Sequence, residues 1–445
     1  MKTKAERGSS LLTPAQQRWL HEGAASLLVA YSGGLDSALL LHELAAARAR
    51  APRLRLRAIH IHHGLSPHAA AWVTHCQQQC ETLGVALKVV AVTVDGREQG
   101  IEGAARAARY AAFAAHLQPG ERLVTAQHLD DQCETLLLAL RRGSGPAGLA
   151  AMPELKALGE GQHWRPLLAV SRTDIEARAR QLGLRWIEDE SNADTRFDRN
   201  FLRHRALPPL TARWPHFAAA CARTAALCAE QEALLDELLA PALAAAQRPD
   251  GSLLIAPLTG ASVEKRHALL RRWLAGQGLP MPSRDALIRL WQEVACSRED
   301  ASPRLTLAGG DVRRYQGALY WQPTRPPLHV QQLDWPDLQH PLRLPAGIGQ
   351  LMLDPAGQRL RAPRVGERVQ VRFGVSGHLH VVGRCGGRAL KKLWQEYGVP
   401  PWRRPRMPVL FYNEVAMLVP GLFITRDALV NGGDEAIGIS WCGGA

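Results

Sequence analysis

The sequence predicts an α/β protein: a doubly wound parallel sheet in the N-terminal half, a helical middle domain, and a small α+β domain at the C-terminal end. Three observations predict it. Residues 27–31, LLVAY, form a short apolar run typical of a buried parallel strand, broken at once by Ser32-Gly33-Gly34-Leu35-Asp36-Ser37 before helical spacing resumes at 38–44. Further strand-like runs at 54–61, 87–92 and 123–126 alternate with helical patterns at 72–83 and 101–117, the rhythm of βαβ units. From residue 342 onward the character changes to short runs such as 369–373 and 409–411, spaced by glycines and prolines.

The 445 residues exceed one ordinary core, so roughly two to four domains are expected. A hydrophobic fraction of 46% with 21% charged residues excludes a disordered chain. The net charge of +13, carried mostly by arginine, favours a polyanionic partner such as RNA, although a GC-rich genome also inflates arginine. The eight cysteines form no CxxC pair and no zinc-like spacing, which fits free thiols in a reducing compartment. The N-terminal stretch MKTKAERGSSLLTPAQQ is charged, with a short helix expected around 14–21. It lacks the apolar core of a signal peptide, and no later run is long enough to span a bilayer, so a cytoplasmic protein without membrane contact is expected.

Strand, tight turn and helix at 27–44 make a phosphate site. Gly33 and Gly34 let the backbone turn sharply and approach a ligand, and the N–H groups opening the next helix point outward with the positive end of its dipole behind them. Ser32 and Ser37 add hydroxyl donors. Asp36 is repelled by phosphates unless a divalent cation, Mg²⁺, lies between them. The plainer alternative is a Gly-rich turn capped by Asp36 or Ser37. The loop lacks the Lys-Ser/Thr pair of the Walker pattern and the third glycine of GxGxxG. SGGLDS at 32–37 resembles instead the pyrophosphate loop of the ATP pyrophosphatases, which adenylate a carbonyl oxygen and release pyrophosphate.

The second strand ends in His60-Ile61-His62-His63-Gly64-Leu65. His60 and His62 share one strand face and His63 points away, so a metal would need ligands from elsewhere; imidazoles touching nucleotide or RNA are preferred. In the alanine-rich helix at 101–117, Glu102 and Arg106 stand at i, i+4 and Arg109 lies one turn on. A surface ion pair and a pair of arginines aimed at nucleotide phosphates both fit that spacing.

After the fourth strand comes Gln127-His128-Leu129-Asp130-Asp131-Gln132-Cys133-Glu134-Thr135. Parallel strands set their carboxyl-end loops along one crevice, so this acidic turn should face residues 32–37. Asp131 and Glu134 share a helical face, where two carboxylates can hold magnesium or bind an amine and take its proton. An acidic helix cap accounts for Asp130 and Asp131 but not for Glu134.

HxDDQxET with Arg142-Gly143-Ser144-Gly145 is similar to the tRNA(Ile)-lysidine synthetases. Arg165-Pro166-Leu167-Leu168, Glu188-Asp189-Glu190-Ser191-Asn192, Asp194, Arg199-Asn200 and Arg203 continue that pattern, and HHGL follows it after the second strand. Gln127 departs from it, since many members carry histidine there. The related thiolases that use CxxC pairs are disfavoured.

Pro208-Pro209 and Trp214-Pro215 punctuate a boundary, followed by a long helical pattern at 217–246 and helices at 263–277 and 285–296. Residues 322–337, rich in proline, read as a linker. The C-terminal part carries Arg359, Arg361, Arg364, Arg368, Arg372, Arg384 and Arg388 as a basic face. In Lys391-Lys392-Leu393-Trp394, an amphipathic helix buries the apolar positions and leaves Lys391, Lys392, Arg403 and Arg404 for phosphates. LKKLWQE followed by VPPW resembles the C-terminal tRNA-binding domain of the longer, three-domain lysidine synthetases.

The resemblance implies an adenine nucleotide alpha hydrolase-like catalytic domain at 1–216, a helical tRNA-binding connector at 217–325 and an α+β tRNA-binding domain at 342–445. It also implies a ligase that joins free L-lysine to the wobble cytidine of tRNA(Ile) with a CAU anticodon, using ATP and Mg²⁺ and passing through an adenylated cytidine. Ser32 to Ser37 and His62 would bind ATP, with Asp36 also holding Mg²⁺. Asp36, Asp131, Glu134, Arg106 and Arg109 would be catalytic. Asn200, Arg203, Lys391, Lys392, Arg403 and Arg404 would contact tRNA. Another tRNA-modifying enzyme of the superfamily and a non-catalytic tRNA binder are the alternatives, and a homodimer is left open.

Overall fold

The computed structural model describes residues 10–23, 25–64, 66–93, 100–279, 281–298 and 301–443, with the backbone alone at 100–102. The N-terminal stretch before residue 10, Leu65 of HHGL and the side chain of Glu102 therefore lie outside the described residues. The chain divides into two compact units, residues 1–236 and 237–445.

In the first unit the elements run α1 (Pro14–Glu22), β1 (Ser26–Ala30), α2 (Leu35–Arg50), β2 (Arg55–His62), α3 (Ala69–Thr82), β3 (Ala86–Ala91), α4 (Gly100–His116), β4 (Glu121–Val124), α5 (Leu129–Arg141), α6 (Pro146–Leu149), β5 (Leu155–Leu158), β6 (Gly161–Trp164) and α7 (Arg172–Gln181). The short α8 (Asp198–Phe201) and α9 (Leu207–Arg213) flank a π-helical turn, Leu202–Ala206. The strands form one sheet in the order β3-β2-β1-β4-β6-β5, parallel except for β5, which folds back on β6. Strand alternation in β1 shows the double winding. Leu27 and Val29 enter a core with Leu39 and Leu40 of α2, Cys76 of α3 and Ile175 of α7, while Leu28 enters a second core with Ile59, Phe113 of α4 and Leu123. Each fully buried leucine of this kind contributes about 1.5–3 kcal/mol.

The strand order reverses between β1 and β4, each carrying a loop at its carboxyl end: 31–34 before α2, and 125–128 before α5. That reversal is where open α/β sheets hold their ligands.

Helix α10 (Phe217–Ala246) carries the chain across the division between units. In the second unit β7 (Leu253–Leu254), α11 (Ala256–Thr259), α12 (Val263–Gly276) and α13 (Arg284–Arg289) are followed by β8 (Arg304–Leu307), β9 (Gly310–Tyr315) and β10 (Ala318–Pro323). The helical middle region thus also carries an antiparallel sheet, β7-β10-β9-β8, that closes its core over Trp273 and Leu270. Beyond it lie β11 (Gln332–Asp334), β12 (Leu342–Leu344), β13 (Gly349–Arg361), β14 (Val369–Arg372), β15 (His378–Leu379), β16 (Arg388–Ala389), α14 (Leu390–Glu396), β17 (Val409–Tyr412), β18 (Val415–Val419), β19 (Phe423–Ile424) and β20 (Ala436–Cys442). They make a five-stranded sheet, β11-β14-β17-β18-β19, a three-stranded one, β12-β13-β20, and a two-stranded one, β15-β16, with α14 buried through Leu390, Leu393 and Trp394. Among the described residues no helix is long and apolar enough to cross a membrane.

Candidate active site

Residues 32–37 are tied by their own side chains. Ser37 Oγ donates to Gly34 O at 3.0 Å and lies 3.0 Å from Ser32 Oγ, while Ser32 N donates to Ser37 Oγ at 3.2 Å. Gly33 adopts φ +87°, open to glycine alone at low cost, and an added Cβ would meet Ile187 Cδ1 at 2.6 Å and Cys76 Sγ at 3.0 Å. Leu35 is buried under the loop, and Asp36 lies in the first turn of α2. Its two oxygens accept from Arg172 Nη1 at 2.6 and 2.5 Å.

Across the crevice, Asp131 caps α5 by accepting from the N–H of His128 at 3.1 Å. The buried His128 ring bridges the two loops: Nε2 is 3.9 Å from Asp36 Oδ1 and 3.4 Å from Asp131 Oδ2, and Nδ1 is 3.5 Å from Asp130 Oδ2. Burial alone lowers its pKa, but Asp130, Asp131 and Asp36 together outweigh burial and hold it above the ordinary histidine value. Glu134 is fully buried. Arg203 Nε donates to its Oε1 at 2.8 Å, Arg203 Nη2 reaches Asp131 Oδ1 at 3.1 Å, and Arg199 lies 3.7 Å from each carboxylate. Burial nevertheless pushes the Glu134 carboxyl above the usual glutamate range, against the pull of Arg203 and Arg199.

Arg203 reaches the carboxylates from the π-helical turn Leu202–Ala206, and that turn has a covalent cause. Pro208 and Pro209 cannot donate backbone hydrogen bonds, and the N–H of Leu207 bonds back five residues to Leu202 O. Asn200 faces its own loop, donating to Ser191 O and Asp194 O at 3.0 Å each.

A second polar network lies at the carboxyl ends of β4 and β6. The buried Arg165 donates from Nη1 to Pro153 O at 2.7 Å and from Nη2 to His163 Nδ1 at 2.9 Å. Arginine never loses its protons, so His163 Nδ1 must accept, and Nε2–H donates to Thr125 Oγ1 at 2.7 Å. The Thr125 hydroxyl in turn donates to Gln127 Oε1. Burial and the nearby Arg165, Arg106 and Lys156 push the His163 pKa down to about 3, consistent with a neutral ring. Arg106 stands over the Tyr110 ring, 5.0 Å from its centroid, beside this network. Arg109 faces His63, whose pKa is lowered first by burial and then by that charge.

His62 ends β2 half-buried, whereas the buried His60 sends Nδ1 to Tyr31 O at 2.9 Å and so ties β2 to the start of the loop. Among the described residues, no group of three or more His, Cys, Asp or Glu is arranged to hold a metal ion. Asp36 alone offers a carboxylate at the phosphate loop, which suits magnesium because that ion commonly uses one or two carboxylates together with substrate phosphates.

In the second unit Lys391 and Lys392 are exposed on α14, and Arg403 and Arg404 are half-buried, with Arg404 Nε donating to Val399 O at 3.0 Å. Much of the basic face is internally neutralised. Arg361 pairs with Glu367 at 2.6 Å, Arg372 with Glu414 at 2.7 Å and Arg364 with Asp434 at 3.3 Å, while Arg384 and Arg388 both pair with Glu396. The sequence motifs contain His128, Arg165 and Arg199 without giving them partners, and they do not include Arg172, which follows Ser171, the cap of α7.

A parallel sheet with this loop and an acidic helix start at the strand-order reversal defines an ATP-using protein of the PP-loop class, and the PP-loop domain model matches residues 4–210. Models for the TilS substrate binding domain and the TilS substrate C-terminal domain match residues 253–320 and 369–441. The tRNA(Ile)-lysidine synthases of Shigella flexneri and Salmonella typhi are each 55% identical over 415 residues, covering 93% of this chain and 96% of theirs. The chain belongs to the tRNA(Ile)-lysidine synthase family. Among solved structures, the U34-tRNA thiolase NcsA from Methanococcus maripaludis aligns at 15% identity and a TM-score of 0.39, over 47% of this chain and 76% of that one.

Proposed function

We propose that the protein joins L-lysine to the wobble cytidine of tRNA(Ile) bearing CAU, forming lysidine with release of pyrophosphate and AMP. The observation that carries the reading is the convergence of Asp36 with Asp131 and Glu134 on one crevice, with His128 between them, 3.9 Å from the first and 3.4 Å from the second. In the first half-reaction the base carbonyl oxygen attacks the α-phosphate of ATP. Residues 32–37 and the N-terminus of α2 bind the phosphates, and magnesium held at Asp36 would supply charge neutralisation as pyrophosphate leaves. Arg106 and Arg109, rising from α4 at the same edge, bind the nucleotide or the activated base, and His62 lines the nucleotide side.

In the second half-reaction the lysine side-chain amine attacks the activated ring carbon and AMP departs. Free lysine is almost wholly protonated near neutral pH, so it needs a local base. Asp131 and Glu134 receive the ammonium, and the raised pKa of Glu134 narrows the proton-affinity gap between carboxylate and amine. Arg199 and Arg203 balance the charge of the pair. Asn200 shapes the wall on which the RNA lies, and Lys391, Lys392, Arg403 and Arg404 grip the tRNA backbone. The parts at 1–216, 217–325 and 342–445 act as catalytic, connecting and tRNA-gripping domains in a cytoplasmic enzyme.

The test is incubation with ATP, magnesium, labelled lysine and unmodified tRNA. Label entering isoleucine tRNA with CAU, and not methionine tRNA, supports the reading. Pyrophosphate release without label points to another nucleophile, and neither signal leaves a non-catalytic tRNA binder.

A further inference from the structure

Asp36 poses an electrostatic problem in the free protein, because a half-buried carboxylate at a phosphate loop needs a cation. Arg172 supplies it, with Nη1 within 2.6 Å of both carboxylate oxygens. Arg172 opens α7, and Asp130 Oδ2 holds its backbone N–H at 2.8 Å. Helix α7 is fastened to α2 by Arg178 Nε on the buried Glu43 Oε1 at 2.9 Å and by Ile175 and Ala179 in the core. The backbone of Arg172 is therefore fixed while its side chain, 39% exposed, can swing. Nε rests on Glu176 at 3.2 Å, and among the described residues Nη2 has no partner. An ion pair this open to water adds little stability, so its position is the informative fact.

We propose that Arg172 is a nucleotide-binding residue that changes partner, neutralising Asp36 in the free enzyme and moving to the β- and γ-phosphates when ATP arrives with its cation. The inference rests on residues 32–37 being the ATP loop. With Nη1 on both oxygens of Asp36, a divalent ion arriving there meets the guanidinium charge at close range, which favours departure of Arg172. Once displaced, Arg172 lies beside the most negative part of the ligand. Its planar fork suits two phosphate oxygens at once, and donors held there stabilise the charge that builds on departing pyrophosphate.

Calorimetric titration of the full-length chain with ATP, with magnesium and then with EDTA, tests this. With magnesium, Arg172→Gln should bind ATP about tenfold or more weakly than wild type, and Arg172→Lys should recover part of the loss. In EDTA, Asp36→Asn should bind ATP more tightly than wild type, because a repelling carboxylate is gone and Arg172 is free, and that gain should vanish in the Asp36→Asn, Arg172→Gln double variant. Unchanged affinity in Arg172→Gln, or a gain that persists in the double variant, overturns the proposal while leaving the ATP loop intact. Failure of the wild-type chain to bind ATP overturns the loop assignment and the proposal together.

Discussion

Arg203 and Glu134 are joined by two hydrogen bonds, Nε to Oε1 at 2.8 Å and Nη2 to Oε2 at 3.1 Å, and the same Nη2 also reaches Asp131. One guanidinium therefore spans Asp131 and Glu134, two of the three carboxylates of α5, and acts on the basicity of Glu134. Burial raises the Glu134 pKa and Arg203 lowers it, so removing Arg203 must raise it further. With Glu134 as the proposed base, lysine transfer would need the ionised carboxylate and would switch on as pH rises through that value. Arg203→Gln should move the acid limb of the transfer step up by about one pH unit or more, read from pH–rate profiles on pre-adenylated tRNA. An acid limb that stays in place would remove Glu134 from the role of base.

The two half-reactions should separate by residue. Asp36→Ala is expected to abolish pyrophosphate release. Glu134→Ala should leave that release largely intact and slow lysine incorporation by roughly 10²–10⁴-fold. Equal loss of both signals in Glu134→Ala would contradict this division of labour.

At Gly33 the expectation is steric. Alanine there must hold φ +87° and press its Cβ to 2.6 Å from Ile187 Cδ1. The left-handed backbone alone costs about 1–2 kcal/mol, and the clash adds to it. Gly33→Ala should lower the melting temperature and weaken ATP binding together; a variant that melts and binds like wild type would show that the loop adopts another conformation.

Thr125 links His163 to Gln127, accepting at 2.7 Å from the first. Thr125→Val keeps the shape but leaves the His163 N–H buried without a partner, at a cost of about 1–3 kcal/mol in denaturant unfolding. No loss of stability would mean that water replaces the hydroxyl.

The sequence makes legible whatever depends on local order: the β1-loop-α2 unit, the helix bearing Asp131 and Glu134, and the buried face of α14. It hides what depends on long-range pairing. The β5–β6 hairpin consists of two four-residue strands carrying Lys156, Gln162 and His163, too short and polar to show alternation. Arg172 meets Asp36 across 136 positions, and nothing near either residue announces the other. The basic C-terminal face reads as charge in a one-dimensional list, but Glu367, Glu396 and Glu414 fold onto it and cancel much of it. Arg203, expected to face RNA, turns to Glu134 because a buried carboxylate must be matched at close range.

The N–H of Ile187 donates to Gly33 O at 2.9 Å, three residues before the turn Glu190–Ala193 begins the wall that leads to Arg203. The stretch that leads to Arg203 is thus tied to the 32–37 loop through the Gly33 carbonyl, with the Ile187 side chain packed against the same glycine. A displacement of Gly33 would be passed along the backbone toward the guanidinium that holds Glu134, coupling the two loops of the crevice mechanically.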